Sequence, residues 1–461
     1  MTDLERLRAS VAQHLGLGLS EMGDAELLGV LEKRMAAQGV KRAGAYLTIL
    51  EGPAGKEEAH ALGQLLTVGE TYFFRGPAQF KVLRETVLPA LWRKQNEIRI
   101  LSAACSSGEE PYSLAMMCHD EGWSGGKRKA RIEGVDLDRR SLAKARAGVY
   151  STWSLRETTA ALQRRWLKTT GNEVRIVPEL QGSVHFHERN LLDLDTLFEP
   201  ASFDIILCRN VLIYFTPVSA RAVVDRIESL LVPGGYFFLS ETETLRGITD
   251  RFDLVSSASS FYYRTRERPE PTPAPAVVRP APVEVPVATP APSVANVALE
   301  DMLPLFARER FAEVLSALAE AVVPGREDDV LVYRAVAHLG AGAVAEAEAI
   351  ARRVVVEGAH PADAHMVIAL AAEHQGDAAK AREHCHAALY LDPSFALARL
   401  HIGRIERREG KLADGRRELR QALELLAHEK EPRIALFGGG FSRDGLVALC
   451  KSELTLAEKA R

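Results

Sequence analysis

Two adjacent carboxylates stand in a loop where a phosphate-binding protein would keep neutral or positive groups. The stretch "LSAACSSGEEPY" places Glu109 and Glu110 directly after a β-type apolar run and a single glycine. In a dinucleotide-binding fold, this loop packs against a pyrophosphate, which carboxylates would repel. The loop therefore favours a ligand without phosphate, and a cationic ligand suits it best.

A third acid, Asp136, ends the next predicted strand in "IEGVDLDRR". At that place an acidic residue typically accepts hydrogen bonds from both ribose hydroxyls, although a lone aspartate there is more often a helix cap. Asn190, which follows another strand in "FHERNLL", is a candidate partner for an adenine edge. Taken together, the loop and these acids predict S-adenosylmethionine, which carries a sulfonium, an ammonium and a ribose but no phosphate.

Polar residues at the end of a buried strand mark the expected place of the reaction. "FDIILCRNVLIYF" runs from an apolar strand into Arg209, Asn210 and Tyr214, and ligands bind at the carboxyl ends of parallel strands. "TVGETYFFRGPAQF" adds Thr71 and Arg75 at the seam between a helical and an α/β segment, a usual place for a site. Each stretch also has a purely structural interpretation, as turn residues, a core aromatic or a packed connection.

The elements that must position these groups alternate between strand and helix. Apolar runs predict strands at 98–104, 131–135, 184–187, 204–208, 236–240 and 260–264, and helical spacing predicts helices at 111–119, 140–147 and 218–231. This alternation predicts a mostly parallel, doubly wound sheet. The last two strands have no helix between them, so we expect one of them to run antiparallel.

Helical segments flank the α/β segment, which we place at 81–267. Residues 1–80 show apolar positions at helical spacing, and a Pro-rich stretch follows the α/β segment at 268–295. That composition predicts an extended tether, with a PxxP-type ligand as the less favoured alternative.

Beyond the tether the chain repeats itself. Gly342, Gly376 and Gly410 follow one another at intervals of 34 residues. This period predicts tetratricopeptide repeats over 296–430, which a helix in 431–461 would cap. The period predicts the tetratricopeptide fold, but it does not indicate which ligand the repeats bind.

Composition excludes several classes of function. The chain has 461 residues, and its net charge of −4 gives no general affinity for nucleic acid. Five scattered cysteines without a CxxC spacing favour reduced thiols and predict no metal site. No apolar run approaches the roughly 18 residues of a membrane helix. We therefore expect a cytoplasmic protein without direct membrane insertion.

At these residues the chain resembles the CheR family, the chemoreceptor glutamate O-methyltransferases of bacterial chemotaxis. "ETYFFR" resembles the family's Thr-x-Phe-Phe-Arg element, "AACSSGEEPYSLA" its Gly-Glu-Glu-Pro-Tyr-Ser loop and "VDLD" its ribose acid, while "NLL" and "CRNVLIYF" resemble its other site elements. The resemblance implies a small all-α N-terminal domain and a seven-stranded, Rossmann-like methyltransferase domain with a small β insert at about 170–187. Members with a Pro-rich linker and C-terminal tetratricopeptide repeats are known in this family.

The resemblance also implies roles for individual residues. Arg75 and Tyr214 would flank the transferring methyl group, with S-adenosyl-L-methionine as donor, S-adenosyl-L-homocysteine as product and no metal. The implied cofactor contacts are Thr71, Arg75, Glu109, Asp136, Asn190, Leu191, Arg209 and Asn210. Gly69 departs from the family, because many members carry Asn there. The hairpin of the insert is shorter than in members that dock on a receptor's C-terminal pentapeptide, which favours pentapeptide-independent binding.

The function that this resemblance implies is methylation of glutamate side chains on methyl-accepting chemotaxis receptors, to give methyl esters for adaptation. A glutamate is already charged near neutral pH, so it needs desolvation and alignment rather than a general base. The expected partners are the cytoplasmic helical region of a receptor, met in arrays at the inner face of the membrane, and an unknown protein on the repeats.

Some alternatives remain open. Lys33, Arg34, Lys41 and Arg42 could form a basic face for an acidic receptor, or an ordinary solvated helix surface. The enzyme could methylate a different acceptor. A scaffold, whose repeats bind a partner and whose methyltransferase domain is a sensor or a relic, is a third interpretation. The intact site residues Arg75, Glu109, Asp136, Asn210 and Tyr214 speak against a relic.

Overall fold

The computed structural model describes residues 2–19, 22–53, 55–66, 69–125, 127–240, 243–257, 260–266, 298–319, 321, 323–357 and 361–459. The chain forms two compact units, Met1–Thr244 with Val255–Thr265, and Leu245–Leu254 with Arg266–Arg461. The first unit contains both the N-terminal helices and most of the predicted α/β domain. The predicted tether at 268–295 lies outside the described residues.

Four helices open the first unit: Asp3–Leu15 (α1), Asp24–Ala37 (α2), Ala43–Leu50 (α3) and Gly55–Leu66 (α4). Their apolar faces share a small core. Buried Glu58 on α4 ties three of them together, because it accepts hydrogen bonds from Arg34 on α2 at 2.7 Å and from the Tyr46 hydroxyl on α3 at 2.7 Å. Arg34 is therefore engaged inside the domain, whereas Lys33, Lys41 and Arg42 are exposed.

Eleven strands are found among the described residues: Glu97–Ala103 (β1), Ser124–Gly125 (β2), Arg128–Asp136 (β3), Val149–Ser151 (β4), Leu167–Thr170 (β5), Glu173–Ile176 (β6), Val184–Glu188 (β7), Phe203–Cys208 (β8), Leu231–Phe238 (β9), Phe252–Ser256 (β10) and Phe261–Thr265 (β11). The main sheet has the order β10-β11-β9-β8-β1-β3, and β3 also pairs with β2 and β7. Without the two-residue β2, these are the seven strands of the predicted fold.

The directions of the strands confirm the doubly wound arrangement. β1 lies parallel to β3 and β8, β3 lies parallel to β7, and β8 lies parallel to β9. β11 runs antiparallel to β9, as the missing crossover helix predicted. Strand β10 was not predicted from the sequence.

Seven helices accompany the sheet: Pro77–Val82 (α5), Leu88–Trp92 (α6), Glu109–Asp120 (α7), Arg139–Ala147 (α8), Ala160–Trp166 (α9), Pro178–Gln181 (α10) and Pro217–Leu230 (α11). α7, α8 and α11 agree with the three predicted helices to within two residues. Gly108 makes the tight turn from β1 into α7 at φ +90°, where a Cβ would lie 2.7 Å from that of Ala145. Only glycine combines that backbone conformation with so close an approach.

A second, three-stranded antiparallel sheet has the order β4-β6-β5. This insert spans residues 149–176, whereas the sequence placed it at about 170–187. The insert ends earlier because β7 is part of the main sheet, where Val184 pairs with Ile132 of β3, and it begins earlier because β4 pairs with β6.

The second unit holds ten helices in its described part: Leu303–Ala307 (α12), Phe311–Leu318 (α13), Glu327–Gly340 (α14), Val344–Glu357 (α15), Pro361–His374 (α16), Ala378–Leu391 (α17), Ala396–Arg408 (α18), Leu412–Leu426 (α19), Glu431–Phe437 (α20) and Arg443–Lys459 (α21). Gly342, Gly376 and Gly410 separate the paired helices at φ +85°, +77° and +79°. Glycine adopts this left-handed conformation without strain, which accounts for the 34-residue period. A membrane-crossing helix is not found in the described part of the chain.

The segment Leu245–Leu254, which we call the strap, belongs to this helical unit although the sequence placed it in the α/β domain. Arg246 donates hydrogen bonds to the carbonyls of Leu436 at 2.8 Å and Phe306 at 3.4 Å. The N–H of Gly247 binds the carbonyl of Gly340 at 2.9 Å. These partners of Arg246 and Gly247 are 60 to 190 positions later in the chain.

Candidate active site

A cleft of about 1020 Å³, including the part open to solvent, lies at the carboxyl ends of β1, β3 and β8. Eight of the nine predicted site residues line it: Thr71, Arg75, Asp136, Asn190, Leu191, Arg209, Asn210 and Tyr214. The sequence-predicted set is thus almost entirely brought together. Glu109 is the exception, and Glu110 lines the cleft in its place.

Asp136 at the end of β3 is held with half of its acceptor capacity unused. Its Oδ2 accepts the N–H of Ser106 at 2.7 Å, and its Oδ1 accepts the N–H of Asp138 at 2.8 Å. A carboxylate has about four acceptor positions, so about two remain for a ligand, which matches a ribose diol. Burial raises the pKa of Asp136, and the N–H groups of Asp138 and Ser106 oppose that rise.

Glu109 is buried outside the cleft lining. Its carboxylate accepts hydrogen bonds from the hydroxyls of Ser107 at 2.7 Å and Ser154 at 3.2 Å, and it lies 3.7 Å from the ammonium of Lys144. Burial raises the pKa of Glu109. Because α7 begins at Glu109, the side chains of the two glutamates diverge by about 100° around the helix, and only Glu110 faces the cleft.

Glu110 forms an ion pair with Arg209 inside the site. Arg209 Nη1 lies 3.0 Å from Glu110 Oε2, and the Ser102 hydroxyl donates to Glu110 Oε1 at 2.6 Å. The Arg209 and Glu110 side chains are only 5% and 14% exposed. Arg209 also donates to the carbonyl of Arg75. Arg209, which follows β8, thus links α7 and the Arg75 loop, and Glu110 links α7 to β1 through Ser102. The predicted contact of Arg209 with the donor stays a prediction.

The turn after β8, which we call the reaction loop (209–215), is held by a buried acid that the sequence analysis missed. Asn210 has φ +58°, unusual for a residue other than glycine. Glu243 accepts the N–H groups of Asn210 at 2.7 Å, Val211 at 3.0 Å and Leu212 at 3.0 Å. Glu243 follows β9 in "SETETL", just beyond the strand that the sequence predicted at 236–240.

The wall opposite Arg209 comes from the loop after β7 and the end of α1. Asn190 is buried, and its side-chain oxygen accepts the N–H of Leu192 at 3.0 Å while its amide donates to the carbonyl of Leu15 at 3.4 Å. Leu191 beside it is 5% exposed. An amide and an apolar side chain in this position could hold the edge and the face of a purine.

Arg75 and Tyr214 complete the cleft. Arg75 Nη1 donates to the carbonyl of Glu70 at 2.8 Å, and Tyr214 is 38% exposed. Neither a histidine nor a lysine is among the described residues that line the cleft. The site therefore offers acids for a cation, and an arginine and a phenol for an anionic acceptor, but no imidazole or amine base.

A mostly parallel sheet of this order, with a ribose-type acid at the end of β3 and an acidic loop after β1, defines the S-adenosylmethionine-dependent methyltransferase fold. The comparisons agree with that class, since residues 69–261 match the family described as CheR methyltransferase, SAM binding domain. Chemotaxis protein methyltransferase 1 of Pseudomonas aeruginosa PAO1 is 33% identical over 271 residues, which are 57% of this chain and 98% of that protein. The chain therefore belongs to the CheR family of methyltransferases.

Two further relatives show how far the similarity extends. Chemotaxis protein methyltransferase of Salmonella typhimurium LT2 is 34% identical over 254 residues, which are 54% of this chain and 86% of that protein. Probable biofilm formation methyltransferase WspC of Pseudomonas putida KT2440 is 28% identical over 416 residues, which are 90% of this chain and 96% of that protein. The alignment with WspC thus includes much of the helical unit.

Proposed function

We propose that this enzyme transfers the methyl group of S-adenosylmethionine to glutamate side chains of methyl-accepting chemotaxis receptors. The products are glutamate methyl esters and S-adenosylhomocysteine. The observation that carries the proposal is the chemistry of the cleft, where Arg75 and Tyr214 stand without a histidine or lysine among the described lining residues. A carboxylate acceptor suits this set, because it attacks without losing a proton, whereas an amine or alcohol acceptor must lose one during the transfer.

The donor end of the cleft would be held by residues from five segments of the chain. The two free acceptor positions of Asp136 take the ribose hydroxyls, and Asn190 with Leu191 takes the adenine. Thr71 and Asn210 would contact the methionine part of the donor. Glu110 would have there the role that the sequence analysis assigned to Glu109. The bound donor supplies a methyl group on a sulfonium, and the acids of the lining favour that positive charge.

The acceptor end would be formed by Arg75 and Tyr214. One Arg75 nitrogen is occupied by the Glu70 carbonyl, which fixes the direction of the guanidinium and leaves other N–H groups for a carboxylate. The Tyr214 hydroxyl would orient the second carboxylate oxygen. These contacts must align the nucleophile without binding it tightly, because strong ground-state binding would lower the gain at the transition state.

The test is transfer of a tritiated methyl group to cytoplasmic receptor fragments, followed by treatment with mild base. Carboxyl esters hydrolyse readily, so we expect the label to be released as methanol. Label that resists base would indicate a different acceptor. Calorimetry with S-adenosylhomocysteine, combined with the transfer assay, tests the scaffold interpretation. Binding of S-adenosylhomocysteine without any methyl transfer would favour the scaffold.

We also propose that the helical unit binds a protein partner and that the enzyme works at receptor arrays on the inner face of the membrane. The long alignment with WspC favours a receptor of a biofilm-type signalling system as a second candidate substrate. Transfer rates to fragments of several receptors of the source organism, measured side by side with the full-length enzyme, would rank the two candidates.

A further inference from the structure

A buried carboxylate outside the cleft lining holds the start of the reaction loop, whereas the N–H of Gly18 binds the carbonyl of Tyr214 at 2.8 Å near its end. Glu243 is 4% exposed and accepts four backbone hydrogen bonds. Its Oε2 accepts the N–H groups of Asn210 at 2.7 Å and Ser240 at 3.0 Å, and its Oε1 accepts those of Val211 and Leu212 at 3.0 Å each. Each oxygen therefore takes two donors.

The loop needs such a support for two reasons. Asn210 has positive φ, a conformation that asparagine adopts more readily than most residues with a Cβ but that still needs local support. Three successive N–H groups after the end of β8 point to the carboxylate of Glu243. Without that acceptor they would be buried and unsatisfied, which is costly in free energy. Charge-assisted hydrogen bonds that one carboxylate accepts are strong enough to offset the cost of the positive φ and the cost of burying the N–H groups.

We propose that Glu243 is a positioning residue for methyl transfer, acting through the reaction loop on Asn210 and Tyr214. Asn210 and Tyr214 line the cleft, whereas Glu243 does not. The carboxylate fixes the loop at its start, and Tyr214 follows two residues after the last N–H that Glu243 binds. A displacement of about 1 Å in a catalytic group can cost about a hundredfold in rate, so the loop has little tolerance.

The geometry makes Glu243→Gln an informative variant. Glutamine keeps the shape of the side chain, but its NH₂ group donates, so it would oppose two of the four N–H groups. Glu243→Asp keeps two accepting oxygens on a side chain one methylene shorter, and should be intermediate. The matched control is Glu133→Gln, because Glu133 is also a buried carboxylate of the main sheet but binds His187 and Arg131, away from the cleft.

The experiment measures three quantities on the full-length protein: kcat and KM for methyl transfer to a receptor fragment, affinity for S-adenosylhomocysteine, and amide hydrogen exchange over 209–215. For Glu243→Gln we expect kcat to fall at least thirtyfold, affinity to change less than fivefold, and exchange at 210–212 to quicken at least tenfold. Glu133→Gln should leave kcat within twofold and exchange in the reaction loop unchanged.

The kinetic readout rests on the proposed methyl transfer, whereas hydrogen exchange does not. Unchanged exchange at 210–212 in Glu243→Gln would overturn the inference whatever the substrate is. Faster exchange with unchanged kcat would show that the loop is held but does not position the reaction, which also overturns it. Should Glu243→Gln fail to fold, Glu243→Asp is judged by the same criteria. An inactive wild-type protein would contradict the proposed function alone.

Discussion

Replacing Arg209 by Met should destabilise the first unit strongly, because it would leave Glu110 as a buried charge without its partner. The two groups are 3.0 Å apart, and their side chains are 5% and 14% exposed. Removing one partner of a buried ion pair costs about 3–5 kcal/mol. For a domain of this size, each kcal/mol lowers the midpoint of thermal unfolding by about 2–4 °C, so we expect a decrease of about 6–20 °C.

The assay is differential scanning calorimetry of the full-length protein with and without S-adenosylhomocysteine. The two units can unfold in separate transitions, and the transition that the ligand raises belongs to the unit with the cleft. The double variant Glu110→Gln/Arg209→Met removes the stranded charge and should recover about 1–3 kcal/mol of the loss.

A matched control comes from the neighbouring glutamate. Lys144 lies 3.7 Å from Glu109, but the lysine side chain is 46% exposed, so Lys144→Met should cost less than about 1 kcal/mol. A ligand-responsive transition that falls by less than 2 °C in Arg209→Met would refute the argument that the pair holds the site together. A double variant no more stable than Arg209→Met would refute the part assigned to Glu110.

Three further predictions concern the cleft. Arg75→Ala and Tyr214→Phe should each slow methyl transfer at least tenfold and change S-adenosylhomocysteine affinity only modestly by calorimetry; unchanged turnover would remove that residue from the mechanism. Because burial raises the pKa of Asp136, acid should protonate it, and weaken donor binding, at a higher pH than for an ordinary aspartate; affinity measured against pH should show this loss in the wild type, and an equal loss in Asp136→Asn would contradict it. Gly76→Ala should lower the free energy of unfolding by at least about 2 kcal/mol, since Gly76 has φ +74° and its Cβ would lie 2.3 Å from Arg209 Nη2. Gly122→Ala, at φ +81° with no atom within 4 Å, carries the backbone strain alone and should cost less in the same denaturant titration.

Local patterns in the sequence were sufficient for the elements that build the cleft. β1, β8 and α7 lie within two residues of their predicted bounds, because buried parallel strands read as continuous apolar runs and helix starts carry their own signals. The antiparallel β11 followed from a missing crossover helix. These features depend on residues that are close in sequence, or on general rules for how consecutive strands of a sheet are connected.

The features that sequence reasoning missed depend on which face of a helix a residue occupies, or on contacts between residues far apart in the chain. Glu109 and Glu110 differ only in which face of α7 they occupy. Which of them faces the cleft depends on where the first turn of α7 begins, and the sequence does not show that residue. Glu243 acts on N–H groups 31 to 33 positions earlier in the chain. No local spacing marks that relation, and a buried carboxylate looks like a surface one in a one-dimensional pattern.

The strap changes how the catalytic half of this chain can be isolated. A fragment that stops within 268–295 would keep Leu245–Leu254 but lose Phe306, Gly340 and Leu436, whose carbonyls receive the strap's N–H donors. Arg246 would lose these carbonyl acceptors only three residues beyond Glu243. Activity lost on such a truncation would therefore reflect the loss of these hydrogen bonds as well as the loss of the C-terminal helices, and point substitutions in the intact chain are the cleaner way to ask what those helices contribute.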